Sequence, residues 1–190
     1  PAKDVNTMKQ SFAGYHIHNT IHKIDMTKTE MERFFSIELR DLVRSNEVSS
    51  LLVWYAGHGK YINNTGYWIP VDADRDDEFS YFNINALKAS MLAYSNYLNH
   101  TLVVTDACES GPSFAEITRD EIVVKRCDDW EAARMKSSQV FSSAGYELAS
   151  DNSQFTRTFA NMLSNNPNAC LPIERVVLKV RVVVKQQGSQ

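Results

Sequence analysis

Leu51-Leu52-Val53-Trp54-Tyr55-Ala56-Gly57-His58-Gly59 and Thr101-Leu102-Val103-Val104-Thr105-Asp106-Ala107-Cys108-Glu109-Ser110-Gly111 decide how this chain reads. Each is an apolar run of strand length that ends at a reactive side chain bracketed by small residues. Neither run alternates with polar residues, as expected for strands covered on both faces of a parallel sheet. In such sheets the chemistry sits at the carboxyl ends of the strands, where His58 and Cys108 fall. A Cys and a His so placed can act as nucleophile and base. Glycine on both sides of His58 lets another backbone come close. The N–H groups of Gly59 and Cys108 are candidate donors to an oxyanion.

Outward from these two stretches the chain alternates helices and strands. Val5, Met8 and Phe12 share a helical face over 2–13, and Gly14 is a plausible stop. Tyr15 to Ile24 alternates and reads as a strand. Thr27-Lys28-Thr29-Glu30 has the form of a capping box. Met31, Phe34, Phe35, Leu39, Leu42 and Val43 then mark an amphipathic helix to about Ser45. With the run 51–56 this gives strand, helix, strand, a right-handed crossover unit. Asn63-Asn64-Thr65-Gly66 signals a hairpin.

Further on, residues 84–98 read as a helix with Leu87, Met91, Leu92 and Tyr94 inward. The strand 101–105 follows. Residues 113–137 read as a charged connection with a helical piece near 129–135, and 139–144 as a short strand. Asp151 or Ser153 caps a helix carrying Phe155, Phe159, Met162 and Leu163 inward. Pro172 opens a last helix with Ile173, Val176, Val177 and Val180 in register. The fold class is therefore α/β, a three-layer α/β/α sandwich with a mostly parallel sheet.

Composition narrows the function. A length of 190 residues fits one domain with a real core. A net charge of -3 lacks the footprint of a nucleic-acid-binding or membrane-surface domain. No apolar run of about 18 residues is present to span a bilayer, and no signal peptide is visible. Three cysteines are too few and too odd for a disulfide framework, which favours a reducing, cytoplasmic setting. Cys127 and Cys170 lack the surroundings of Cys108 and are expected to be inert. No Cys-x-x-Cys occurs, and Pro112 and Phe114 stand where a phosphatase loop would need an Arg, so these other cysteine chemistries fit less well. His16, His18 and His22 could suggest a metal site, but no Cys or carboxylate cluster lies beside them, and a polar strand face is the expectation. The aspartates at 72, 74, 76 and 77 lack the glycine and terminal glutamate of an EF-hand loop and read as a solvated acidic loop. No cofactor is expected, Ca²⁺ activation being the one option that this loop leaves open.

The motifs also carry a resemblance. Tyr55-Ala56-Gly57-His58-Gly59 and Asp106-Ala107-Cys108-Glu109-Ser110-Gly111 resemble the two signatures of the caspase-like cysteine peptidases, with metacaspases and the bacterial caspase-like enzymes as the nearest group. In caspases the His lies about 50 residues before the Cys, and the interval from 58 to 108 is similar. Trp68-Ile69-Pro70-Val71-Asp72-Ala73-Asp74 is similar to the segment after the His in this group. Ser142-Ser143-Ala144-Gly145 with Phe155-Thr156 resembles its small-subunit part.

The resemblance implies a large-subunit-like part over 1–112, a linker over 113–137 and a small-subunit-like part over 138–190. It implies Cys108 as nucleophile, His58 as general base and acid, and the Gly59 and Cys108 amides as oxyanion donors. Asp106, two residues before the Cys, would line the S1 pocket and favour Arg or Lys at P1, and Ser143 would flank it. Arg119, Lys125, Arg126, Arg134 and Lys136 become either self-cleavage points in a zymogen or a plain solvated linker.

The partners implied are a protein or peptide substrate and a regulatory domain or partner protein, with no nucleic acid and no membrane. Three features depart from the pattern. The family's first strand should precede the helix at 2–13, which points to a chain that is part of a larger protein. An acidic S1 partner near that strand cannot be assigned. Ala56 replaces a Ser common in metacaspases. Glu109-Ser110-Gly111 is also similar to legumain-type enzymes, which leaves cleavage after Asn as an alternative. A dormant or inactive caspase-fold interaction module, switched by another domain, is the alternative of a different class.

Overall fold

The apolar runs at 51–56 and 101–105 form the strands expected of them, each slightly longer than predicted. The computed structural model describes residues 2–107, 137–142 and 153–187. β1 spans Ser50–Gly57 and β5 His100–Ala107, and the two pair in parallel. β6, Ser137–Ser142, lies parallel on the other side of β5. It starts at Ser137, so the strand takes in the last residue of the expected linker. The sheet order is β1-β5-β6, and β1 is an edge strand among the described residues. Its residues are half-buried, with Ser50 and Leu52 exposed, rather than fully covered as predicted.

A second, antiparallel sheet is made by β2 (Gly59–Ile62), β3 (Thr65–Trp68) and β4 (Phe82–Asn83). The predicted hairpin joins β2 and β3. Its loop is the pair Asn63-Asn64, both at positive φ (48° and 61°). Two left-handed residues make a turn whose twist matches the strands, and Asn is among the few side chains that tolerate it.

Helices cover both faces of the parallel sheet. On one side lies the run from α2 (Lys28–Arg33) through a π-helical segment (Phe34–Glu38) to α3 (Leu39–Ser45), together with α4 (Ile84–Tyr94). Met31, Phe35, Leu39, Val43, Ile84, Leu87, Tyr94 and Val103 share one buried cluster there. On the other side α1 (Ala2–Ser11), α5 (Gln154–Ser164) and α6 (Ile173–Gln187) bury Met8, Phe155, Phe159, Val176 and Val180 against Val104. Neighbouring residues of one strand thus feed opposite layers, the period-two rule of a strand, and the α/β/α arrangement follows.

The π-helical segment has a reason in the sequence. Met31, Phe35, Leu39 and Val43 recur every four residues, and on a 3.6-residue turn such a row drifts by about 40° per turn. The Leu39 N–H donates to the Phe34 carbonyl, a wider i to i+5 turn, and this takes up the drift. The capping box is as predicted: Thr27 accepts from the Glu30 N–H and the Glu30 carboxylate accepts from the Thr27 N–H at 2.8 Å. Ser153 is the N-cap of α5.

Other expectations are corrected. Tyr15 to Ile24 is not a strand. Ile17 and Ile21 remain exposed, and no described strand hydrogen-bonds to this segment. An alternating run without a partner has nowhere to place its backbone bonds except water. The crossover unit is accordingly not the one predicted: it runs from β1 through the small sheet and α4 to β5. The helix predicted over 84–98 ends at Tyr94, and Leu92 points outward, 73% exposed. Ile84, Leu87 and Tyr94 define the inward stripe, and Leu92 lies off it. The helical piece predicted near 129–135 lies outside the described residues.

Candidate active site

The register of β1 on β5 is what brings the two opening stretches together. Ser50 faces His100, and the pairing continues without a bulge to Gly57 facing Ala107. His58 follows one of these last residues and Cys108 the other in sequence. Cys108 itself, like Ser143, lies outside the described residues, as do Arg119, Lys125, Arg126, Arg134 and the first 24 positions of the linker, 113–136.

His58 is exposed, and its ring makes no hydrogen bond to a described residue. Its backbone is held instead. The His58 carbonyl accepts from the Ile69 N–H at 3.0 Å and from the Tyr55 hydroxyl at 2.9 Å. The Tyr55 ring is stacked on Trp68, with centroids 4.0 Å apart and planes 7° from parallel. The Trp68 indole N–H in turn donates to the Thr105 hydroxyl on β5 at 2.9 Å, where both residues are buried. A chain of contacts therefore runs from the His58 backbone through the small sheet to the end of β5. Gly57 makes room for it. A Cβ there would lie 2.5 Å from the Tyr55 oxygen.

Gly59 is buried and pairs with Trp68. The bond from Ile69 N–H to the His58 carbonyl flanks this pair, which is the pattern of a non-hydrogen-bonded pair in an antiparallel ladder. The Gly59 N–H therefore does not enter the β2–β3 ladder. Asp106 is 5% exposed and shares the face of Val104, so its side chain meets α5. Its Oδ2 accepts a 2.6 Å hydrogen bond from the hydroxyl of Thr156, itself fully buried in the first turn of α5. Ser142 pairs with Thr105, so β6 ends at the same edge of the sheet, one residue before Ser143.

The caspase-domain family model matches residues 1–190. The chain belongs to the caspase-domain family. With that membership come a caspase-like fold and a cysteine peptidase-like function. No curated protein matches the chain. In this caspase domain the sequence motifs bring His58, Gly59 and Asp106 to the carboxyl ends of β1 and β5. Sequence reasoning missed Tyr55, Trp68, Thr105 and Thr156 as supports. Trp68 and Thr156 stood in quoted motifs, but their partners lie 37 and 50 residues away, and spacing alone does not reveal such pairs.

The remaining sequence candidates fall elsewhere. His16, His18 and His22 are all exposed, and among the described residues no group of three or more His, Cys, Asp or Glu could hold a metal. The carboxylates of the acidic loop accept from backbone N–H groups: Asp72 from Lys28 at the start of α2, and within the loop region Asp74 from Asp76 and Asp77 from Phe79. Cys170 is disulfide-bonded, which the sparse cysteine count did not lead one to expect. The other two cysteines, Cys108 and Cys127, are outside the described residues. No described helix is long and apolar enough to cross a membrane.

Proposed function

We propose that this caspase domain is an endopeptidase that cleaves after Arg or Lys. Cys108 acts as the attacking thiolate and His58 as the base that takes its proton and later returns one to the leaving amine. The N–H groups of Gly59 and Cys108 receive the developing oxyanion. Asp106 holds the P1 cation, and Ser143 flanks that pocket. The observation that carries the reading is the unbroken β1–β5 register ending at Gly57 and Ala107. It supports a reactive pair at adjacent strand ends. The outward N–H of Gly59 supports the oxyanion role, and the buried carboxylate of Asp106 supports a cationic substrate group.

Reporter peptides with Arg, Lys, Asn, Asp or citrulline at P1 test it. Turnover of the Arg and Lys peptides is expected, with loss of activity in Cys108→Ala and His58→Ala. Undiminished turnover in Cys108→Ala would sink the nucleophile assignment, and preference for Asn would move the reading to the legumain-like alternative. Asp106→Ala is expected to abolish the basic preference; retained Arg selectivity would remove Asp106 from the pocket. Silence of the isolated domain, relieved by a regulatory partner, would identify the dormant form.

A cytoplasmic setting is part of the reading and rests on the sparse cysteine count. Alkylation of thiols at the moment of cell lysis decides the point. Labelled Cys170 supports a reducing compartment, and protected Cys170 opposes it.

A further inference from the structure

We infer that Tyr55 is a positioning residue for the oxyanion donor, aiming and strengthening the Gly59 N–H through the peptide unit that joins His58 to Gly59; the inference rests on the endopeptidase reading above. The carbonyl of His58 and the N–H of Gly59 belong to one amide. Its oxygen accepts from the Tyr55 hydroxyl at 2.9 Å and from the Ile69 N–H at 3.0 Å. Two donors match the two lone pairs of a carbonyl oxygen. Its N–H stays outside the β2–β3 ladder, because Gly59 and Trp68 are a non-hydrogen-bonded pair.

The phenol is itself held in place. Its ring is stacked on Trp68, 4.0 Å away between centroids and 7° from parallel. Trp68 is buried, and its indole N–H is bound to the Thr105 hydroxyl at 2.9 Å. Gly57 leaves the hydroxyl its path, since a Cβ there would come within 2.5 Å of the Tyr55 oxygen. The second donor, Ile69, follows the last residue of β3. Two different elements, β1 and the end of β3, thus converge on one carbonyl.

This convergence acts on the N–H in direction and in strength. An amide is planar, so fixing its carbonyl with two bonds also fixes the direction of its N–H. Glycine restrains that plane little by itself, so the orientation depends on the two donors. The same bonds draw electron density towards the oxygen and make the N–H a better donor, by about 10–30% per bond. Gly59 is buried, where a charge is screened less than in water. A prealigned, strengthened donor gains most where negative charge develops, at the tetrahedral oxyanion rather than at the bound substrate.

Tyr55→Phe tests this, because it keeps the ring on Trp68 and removes only the hydroxyl; a cooperative melting transition confirms that it folds. On an Arg reporter its kcat is expected to fall by roughly three- to tenfold with KM unchanged, short of the ~100-fold or more that losing a whole donor costs. Inactivation by iodoacetamide is read in parallel. There the Cys108 sulfur displaces iodide and no oxyanion forms, so the rate is expected to match wild type. The isotopically labelled carbonyl carbon of His58 is expected to resonate at lower frequency in the free variant, as one hydrogen bond is lost. If Tyr55→Phe does not fold, replacement of Tyr55 by para-aminophenylalanine keeps the ring with a weaker donor, and the same readouts are expected to move the same way by less. An unchanged kcat, an equal fall in turnover and alkylation, or an unmoved carbonyl resonance overturns the inference and leaves the endopeptidase reading standing. A wild type that cleaves no peptide reporter overturns both.

Discussion

The Tyr55 hydroxyl donates to the backbone carbonyl of His58, three residues further along the chain and 2.9 Å away. The same phenol is clamped flat against Trp68. A residue of β1 thus holds the turn that carries His58, and the aromatic stack ties that turn to a separate sheet.

Replacing Gly57 by Ala is expected to disturb this arrangement from within. The added methyl would meet the Tyr55 oxygen at 2.5 Å and its ring carbon at 2.8 Å. The stacked ring has no slack to give, so overpacking of about 1–3 kcal/mol is expected. If His58 acts as the base, turnover should fall by roughly tenfold or more, because small displacements of a reacting group are costly. Urea unfolding and kcat together check this; a variant as stable and as active as wild type would show that the stack is not rigid.

The bond between Trp68 and Thr105 joins the small sheet to β5 in a fully buried setting. Trp68→Phe leaves the Thr105 hydroxyl without its donor, and Thr105→Val leaves the indole N–H without its acceptor. Each is expected to cost about 1–3 kcal/mol. The double variant should lose less than the sum, since the second change removes an already orphaned group. Strict additivity in denaturant midpoints would argue that the two are not coupled.

Tyr94 carries a buried hydroxyl with no hydrogen-bond partner among the described residues, and burial pushes its ionisation up from 10.0 to about 12. Tyr94→Phe is therefore expected to be neutral or stabilising, as no bond is lost. The sign of the pH effect follows from the raised value. The unfolded chain releases this proton from pH 10 upward while the folded one retains it, so stability declines as pH rises through 10 towards 12. Tyr94→Phe should show a shallower decline in that window. Equal slopes for both proteins would contradict the burial.

Glu30 sits in the capping box, and its bonds to the Thr27 backbone and side chain lower its ionisation below the usual 4.5. Its contribution is full above the ordinary glutamate value and fades as pH falls through the lower, folded one. Glu30→Gln should remove that pH dependence, and Thr27→Ala should cost about 1 kcal/mol at neutral pH. Thermal melts at pH 7 and pH 3 test both. A wild type and Glu30→Gln variant that differ by the same amount at the two pH values would remove the carboxylate from the cap.

The strands of the parallel sheet, the hairpin and the capping box were readable because each depends on neighbours in sequence. Val103-Val104 and Asn63-Asn64 state their structure locally. Tyr15 to Ile24 misled because alternation describes a strand only when another strand is there to bond it. Leu92 misled because an apolar residue one position off the stripe looks inward on paper. At the site, His58, Gly59 and Asp106 were visible as strand-end residues. Tyr55, Trp68, Thr105 and Thr156 were not assigned as supports, because a phenol, an indole and two hydroxyls acquire meaning only once distant elements are folded together.

The parallel pairing of β1 with β5 has a kinetic consequence. The pairing of strands fifty residues apart closes a long loop that holds the small sheet and α4, and such closures are expected late because their entropy is spent before any contact rewards it. A nascent chain that has made its first strand but not its fifth has a histidine with nothing opposite it. Synthesis order thereby keeps the two strand ends apart until the domain is nearly complete. Pulse-labelling hydrogen exchange during refolding should find the β2–β3 hairpin amides protected before those of β5.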